Sequence, residues 1–160
     1  MINMKNEQFI LVIADGSKEM DVALKYACAR SKKTSRKIMI ASFIQPLDVL
    51  TTQGVTEIMQ NEAREEAEKN IKFASDVVKK STGELPVINI REGEIIQELK
   101  NLINEEKNIS VLVLGANVDE KEKNPGPIIN SLVSKELSNF RIPIMIVPGN
   151  FSNEHISLIS

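Results

Sequence analysis

Apolar residues in this chain fall into unbroken runs separated by helically spaced stretches. Phe9 to Ala14 (FILVIA), Lys37 to Ile44 (KIMIASFI), Ser110 to Ala116 (SVLVLGA) and Ile142 to Pro148 (IPIMIVP) are such runs. Continuous rather than alternating apolarity predicts strands covered on both faces, as in a parallel sheet flanked by helices. Pro86 to Ile90 (PVINI) is a weaker fifth run and reads as an edge strand.

Between these runs the apolar spacing becomes helical. After Ser17, which reads as an N-cap, a helix is predicted with Val22, Ala23, Ala27 and Ala29 toward the sheet. The longest helix is predicted from near Gln53 to just before Gly83, a C-cap glycine. Its Val55, Met59, Ala63, Ala67, Ile71, Ala74 and Val78 make one stripe that should be buried throughout. A third helix follows Gly93, with Ile95, Ile96, Leu99, Leu102 and Ile103 inward. A fourth carries Ile129, Leu132, Val133 and Leu137. Strict alternation of strand and helix predicts one α/β domain with right-handed crossovers, over residues 1–150. Residues 151–160 form a tail in which Ser152 could cap one helical turn.

The bulk numbers narrow the function. The chain has 160 residues and a formal net charge of -2, so no bulk charge recruits nucleic acid or an anionic membrane. No stretch approaches a membrane span or a secretory leader, and a single cysteine, Cys28, forms no internal disulfide. The expected location is the cytoplasm. Cys28 reads as a buried thiol. The one histidine, His155, lies in the tail and reads as solvated. No Cys/His set has metal-ligand spacing, and neither GxxxxGK[ST] nor GxSxG occurs. No efficient catalysis is expected.

Two strand ends carry the candidate chemistry. The first run ends in Asp15-Gly16-Ser17, the fourth in Gly115-Ala116-Asn117. In open α/β sheets, ligands bind beyond the carboxyl ends of strands where the order reverses. If these two strands are neighbours, Asp15 could accept hydrogen bonds from a ribose or an adenine edge. Gly115 would admit a ligand to the backbone, and the helix starting near Ile128 would face a phosphate. Each element also has a plainer reading: Asp15 as a turn residue, Gly115 as a packing glycine, Asn124-Pro-Gly-Pro127 as a rigid turn.

The stretches ILVIADGSKEMDVALKYA, VLVLGA and SLVSKELSNFRIPIMIVP resemble the universal stress protein family over about residues 7–149. The resemblance implies a Rossmann-like, adenine nucleotide alpha hydrolase-like sheet of five parallel strands in the order 3-2-1-4-5. It also implies a homodimer formed through the last strand, about Ile142 to Val147. Many members bind ATP, with any magnesium entering alongside the nucleotide, through Gly-x-x-Gly, nine residues, Gly-Ser/Thr. Here Gly115 matches the first glycine, Val118 replaces the second, and the closing pair falls on Asn130-Ser131, with a loop about two residues longer. Gly126 lies off the motif. A β-branched Val118 where φ > 0 is needed would cost on the order of 1–3 kcal/mol. The pattern is similar to a subgroup that departs from the ATP motif. Carried over, Asp15, Gly16 and Phe43 would receive adenosine, and Gly115, Gly126, Asn130 and Ser131 would face phosphates. The alternative is a stress protein with a closed crevice, acting through dimerisation and protein partners, with Asp48 to Val55 (DVLTTQGV) as a partner-binding segment.

Overall fold

The computed structural model describes residues 7–46, 53–119, 121 and 124–160. The strands are β1 (Phe9–Ile13), β2 (Lys37–Ile44), β3 (Val87–Glu92), β4 (Ile109–Ala116) and β5 (Ile144–Pro148). The helices are α1 (Lys18–Thr34), α2 (Gln53–Thr82), α3 (Ile95–Glu105), α4 (Pro127–Ser131) and α5 (Asn153–Ile159). All strand pairs are parallel and the order is β3-β2-β1-β4-β5. The five strands implied by the resemblance are therefore present in the implied order, and β3 and β5 are the edges.

Alternation along the central strands divides the core into two layers. Ile10 and Val12 join Ile38, Ile40, Val111 and Val113 under α1 and α2. Leu11 joins Met39, Leu112 and Leu99 in the other layer, with α3 and α4. Burial of a large aliphatic side chain contributes about 1.5–3 kcal/mol, and Leu11, Leu24, Leu99 and Leu112 are fully buried. Small residues Ala23 and Ala27 on α1 let the helix lie close to the sheet.

Three expectations need correction. The α2 stripe is buried only from Ala67 onward; Val55 is 47% and Met59 41% exposed. The reason is length. Thirty residues of helix span about 45 Å, whereas strands of eight residues or fewer span at most about 27 Å, so α2 overhangs the sheet. On α1 the inward face centres on Met20, Leu24 and Cys28 as well as Ala23 and Ala27; Val22 and Ala29 are only partly buried. The fourth helix does not stay regular. After Ser131 it widens into a π turn (Leu132–Glu136) and tightens into a 3₁₀ turn (Leu137–Asn139), which turns Val133 and Leu137 outward.

The tail is better ordered than one turn. Ser152 accepts the His155 N–H (3.1 Å) and caps α5, whose Ile156 is buried. The His155 ring meets Phe151 edge-on at 4.7 Å. Most of the Asp48 to Val55 segment lies outside the described residues. No helix among the described residues is long and apolar enough to cross a membrane.

Candidate functional site: the crevice between β1 and β4

β1 and β4 pair directly, so their carboxyl ends open on one crevice. Two cavities lie there, and Asp15 lines both. One, of about 280 Å³, runs under the β4–α4 loop and is lined by Glu19, Gly115, Asn117, Asn124, Gly126 and Ile129 among others. The other, of about 290 Å³, opens toward β2 and α2 past Ser42, Phe43, Gln45, Glu66 and Asn70. Each alone is at the low end of ligand pockets, which run about 300–1,000 Å³.

Asp15 is held on one side only. Its Oδ1 accepts the Ser17 N–H (2.9 Å) and the Ser17 hydroxyl (2.7 Å), while Ser17 Oγ accepts the Met20 N–H (3.1 Å). This Asx turn feeds directly into the α1 cap, so the turn reading of Asp15 is correct as far as it goes. The carboxylate is nevertheless exposed, at the junction of both cavities. Gly16 backs onto the Asn70 side chain. Phe43 is half-buried against the α3-side core, so only part of its ring faces the second cavity.

Gly115 has a packing role. A Cβ there would lie 2.1 Å from the Glu19 carbonyl oxygen and 2.4 Å from its carbon. The first turn of α1 thus occupies the space that the missing side chain leaves. Gly126 differs: a Cβ would meet nothing within 4 Å, but φ is 132° and ψ 150°, a conformation essentially restricted to glycine.

The loop between these glycines is tied to itself. Asn117 N–H donates to the Pro125 carbonyl (3.0 Å), closing its base. Asn124 Oδ1 accepts from the Gly126 N–H (3.0 Å) and from the Asn130 side-chain amide. Asn130 therefore braces the loop from the helix side. Ser131 points elsewhere. Ile129 faces the cavity, and two residues along a helix is a rotation of about 200°, so Ser131 lines a separate surface depression beside Glu94, Lys100 and Lys135. Val118 is 43% exposed and does not adopt positive φ; Ser35 is the one non-glycine that does among the described residues. The conflict expected for a valine at positive φ therefore does not arise at Val118.

The crevice is electrostatically unlike a triphosphate cradle. Its two cavities carry Asp15, Glu19 and Glu66, with no lysine or arginine among the described lining residues. The Gly126 and Asn117 N–H groups are already bonded, and Pro125 and Pro127 have none. Among the described residues, the crevice thus brings together polar groups and part of the Phe43 ring, without a basic side chain. Sequence reasoning missed Asn70, Ser42, Glu19 and Asn124. Asn124 had a readable signal, since Asn before Pro-Gly is a turn initiator; Asn70 had none, because only the tertiary fold brings it to Gly16.

The universal stress protein family model matches residues 8–148. The structure is similar to UspA from Lactobacillus plantarum (TM-score 0.71, 13% identity, covering 89% of this chain and 98% of that one). It is also similar to a universal stress protein in complex with cAMP (0.63, 18%, 89% and 97%). The Archaeoglobus fulgidus universal stress protein in complex with dAMP is a further likeness (0.58, 11%, 91% and 98%). No curated protein sequence matches significantly. With the family model matched along nearly all of its strands and helices, this chain belongs to the universal stress protein family.

Proposed function

We propose that this stress protein binds an adenine nucleotide at the β1–β4 crevice, and that a single phosphate suits it better than the three of ATP. The observation that carries this reading is Asp15, an exposed carboxylate fixed by Ser17 at the junction of two cavities. Asp15 would accept ribose hydroxyls, the base would lie toward Phe43 and Ser42, and the phosphate would lie near Gly115 and Gly126. Asn130 contributes by holding the loop, and Ser131 would have to turn inward to reach a phosphate. The cAMP and dAMP complexes of two structural neighbours favour the monophosphate class. The role is binding rather than turnover.

A homodimer through the β5 edge belongs to the same reading. β5 is paired on one side only, and Ile146 is 41% exposed. An open apolar edge is a template for pairing with a second copy, and Pro143 limits pairing at one end of the Ile142 to Val147 stretch. Sedimentation should give a dimer at micromolar concentration; a monomer would remove this part.

The test is calorimetry with AMP, cAMP and ATP, alone and with magnesium. The expected result is tighter binding of the monophosphates, lost in Asp15→Ala. The Asn124–Asn130 brace favours a second reading, in which the loop closes the crevice and function runs through protein contacts. No heat with any nucleotide up to millimolar concentration would select that reading.

A further inference from the structure

On the opposite end of α1 from the crevice, α1, α2 and α5 line an open groove of about 620 Å³. Ala29, Val77 and the buried Ile156 give it an apolar floor, and Lys25, Lys32, Lys33 and Lys80 stand along it. Not one Asp or Glu is among its described lining residues. That is a marked departure for a protein with 22 acidic and 20 basic side chains. Lys25 is drawn to Asp21 on its own helix (3.0 Å), and Lys33 Nζ donates to the Ser160 carbonyl. Lys32 and Lys80 have no carboxylate partner among the described residues. Ser81, Asn153 and Ser157 add hydrogen-bonding groups. The exposed Phe73 lies four residues before Val77, on the same α2 ridge.

Two of the four lysines, Lys32 and Lys80, thus stand without a carboxylate partner among the described residues, beside an apolar floor in a groove open to solvent. We infer that the α1–α2–α5 groove is a second ligand site, for a small molecule carrying phosphate on an apolar or aromatic body. Lys32 and Lys80, on facing helices, engage the phosphate as point charges. The body lies against Val77 and Ile156. The tail is part of the site: α5 docks through Ile156 and supplies the third wall.

The test is a ¹H–¹⁵N NMR titration of the whole chain with 1-naphthyl phosphate, with 1-naphthol and inorganic tripolyphosphate as companions. Shifts should be saturable, centred on Ala29, Lys33, Val77 and Ser157, and reversed by tripolyphosphate. The exposed double variant Lys32→Gln/Lys80→Gln should weaken binding about tenfold, as expected for two surface ion pairs. Asp15→Ala should leave it unchanged, which separates this site from the crevice. The proposal is overturned if shifts spread over lysines throughout the surface, if the double variant binds equally well, or if naphthol binds as tightly. Sedimentation with anionic vesicles through these same lysines, without binding of the soluble phosphate, would overturn it in favour of a membrane surface.

Discussion

Between β1 and α1 the chain turns in four residues; between β4 and α4 it takes ten. Both junctions open on the same crevice, yet they are built differently. The first has a side-chain cap, an Asx turn and a 17-residue helix anchored by Met20, Leu24 and Cys28. The second has no side-chain cap, begins at a glycine with φ 132°, and leads into a helix that loses its α-geometry after five residues. The short junction presents a fixed carboxylate. In the long one, the Asn117 N–H and the Asn124 side chain are bonded within the loop and to Asn130. Ligand recognition should therefore depend on the first, and loop shape on the second.

Replacing the two glycines tests this contrast most strongly. Gly115→Ala drives a methyl into the Glu19 carbonyl, which the backbone of α1 cannot yield cheaply. Overpacking of this kind costs about 3 kcal/mol, so the urea midpoint should fall sharply. Gly126→Ala meets open space and costs only backbone strain, about 1–2 kcal/mol. A larger loss for Gly126 than for Gly115 would invert the comparison.

The dryness of the α1 side has a pH signature. Burial pushes the Cys28 thiol from 9.0 up to about 11, against the lowering pull of Ser81 and Lys32. Above the unfolded value the denatured chain releases this proton while the folded chain keeps it. The stability is thus complete below pH 9 and declines as pH rises to about 11. Two units correspond to about 2–3 kcal/mol. Cys28→Ala should flatten that part of the stability profile; an unchanged slope would mean the thiol ionises as freely as in the unfolded chain.

A smaller effect is expected at the cap. Ser17→Ala removes the acceptor for the Met20 N–H and a hydroxyl held by Asp15. It should cost about 1 kcal/mol and loosen Asp15, so AMP affinity should fall with stability. Stability lost with affinity intact would detach the cap from recognition.

What could be read in the sequence follows the same division. The strands and the Ser17 cap were legible because continuous apolar runs and capping chemistry are local signals, whereas the strand order came only from the family resemblance. The overhang of α2 was not, since helical periodicity says where a stripe lies but not whether a sheet reaches it. The position of Asp15 at the crevice could be read from its place at a strand end. The inward position of Ser131 failed for a geometric reason: a motif counted in residues ignores rotation about the helix, and the longer loop changes where the helix begins. The groove beside α5 was invisible, because its lysines come from helices far apart in sequence.

The finest test concerns Val118. Motif spacing makes valine an obstacle there, so Val118→Gly would be expected to restore nucleotide affinity. The structure argues otherwise. Val118 does not have a positive φ, stands 43% exposed, and is not among the described lining residues of either cavity. What shapes the loop is the Asn117–Pro125 closure and the Asn124 side chain, which glycine at 118 leaves in place. The variant should therefore lie within about 0.5 kcal/mol of the parent in stability and bind AMP and ATP with unchanged affinity by calorimetry. A tenfold gain for ATP would mean that the loop can adopt the motif path when valine is removed, and that the long junction, not Asp15, limits what this crevice holds.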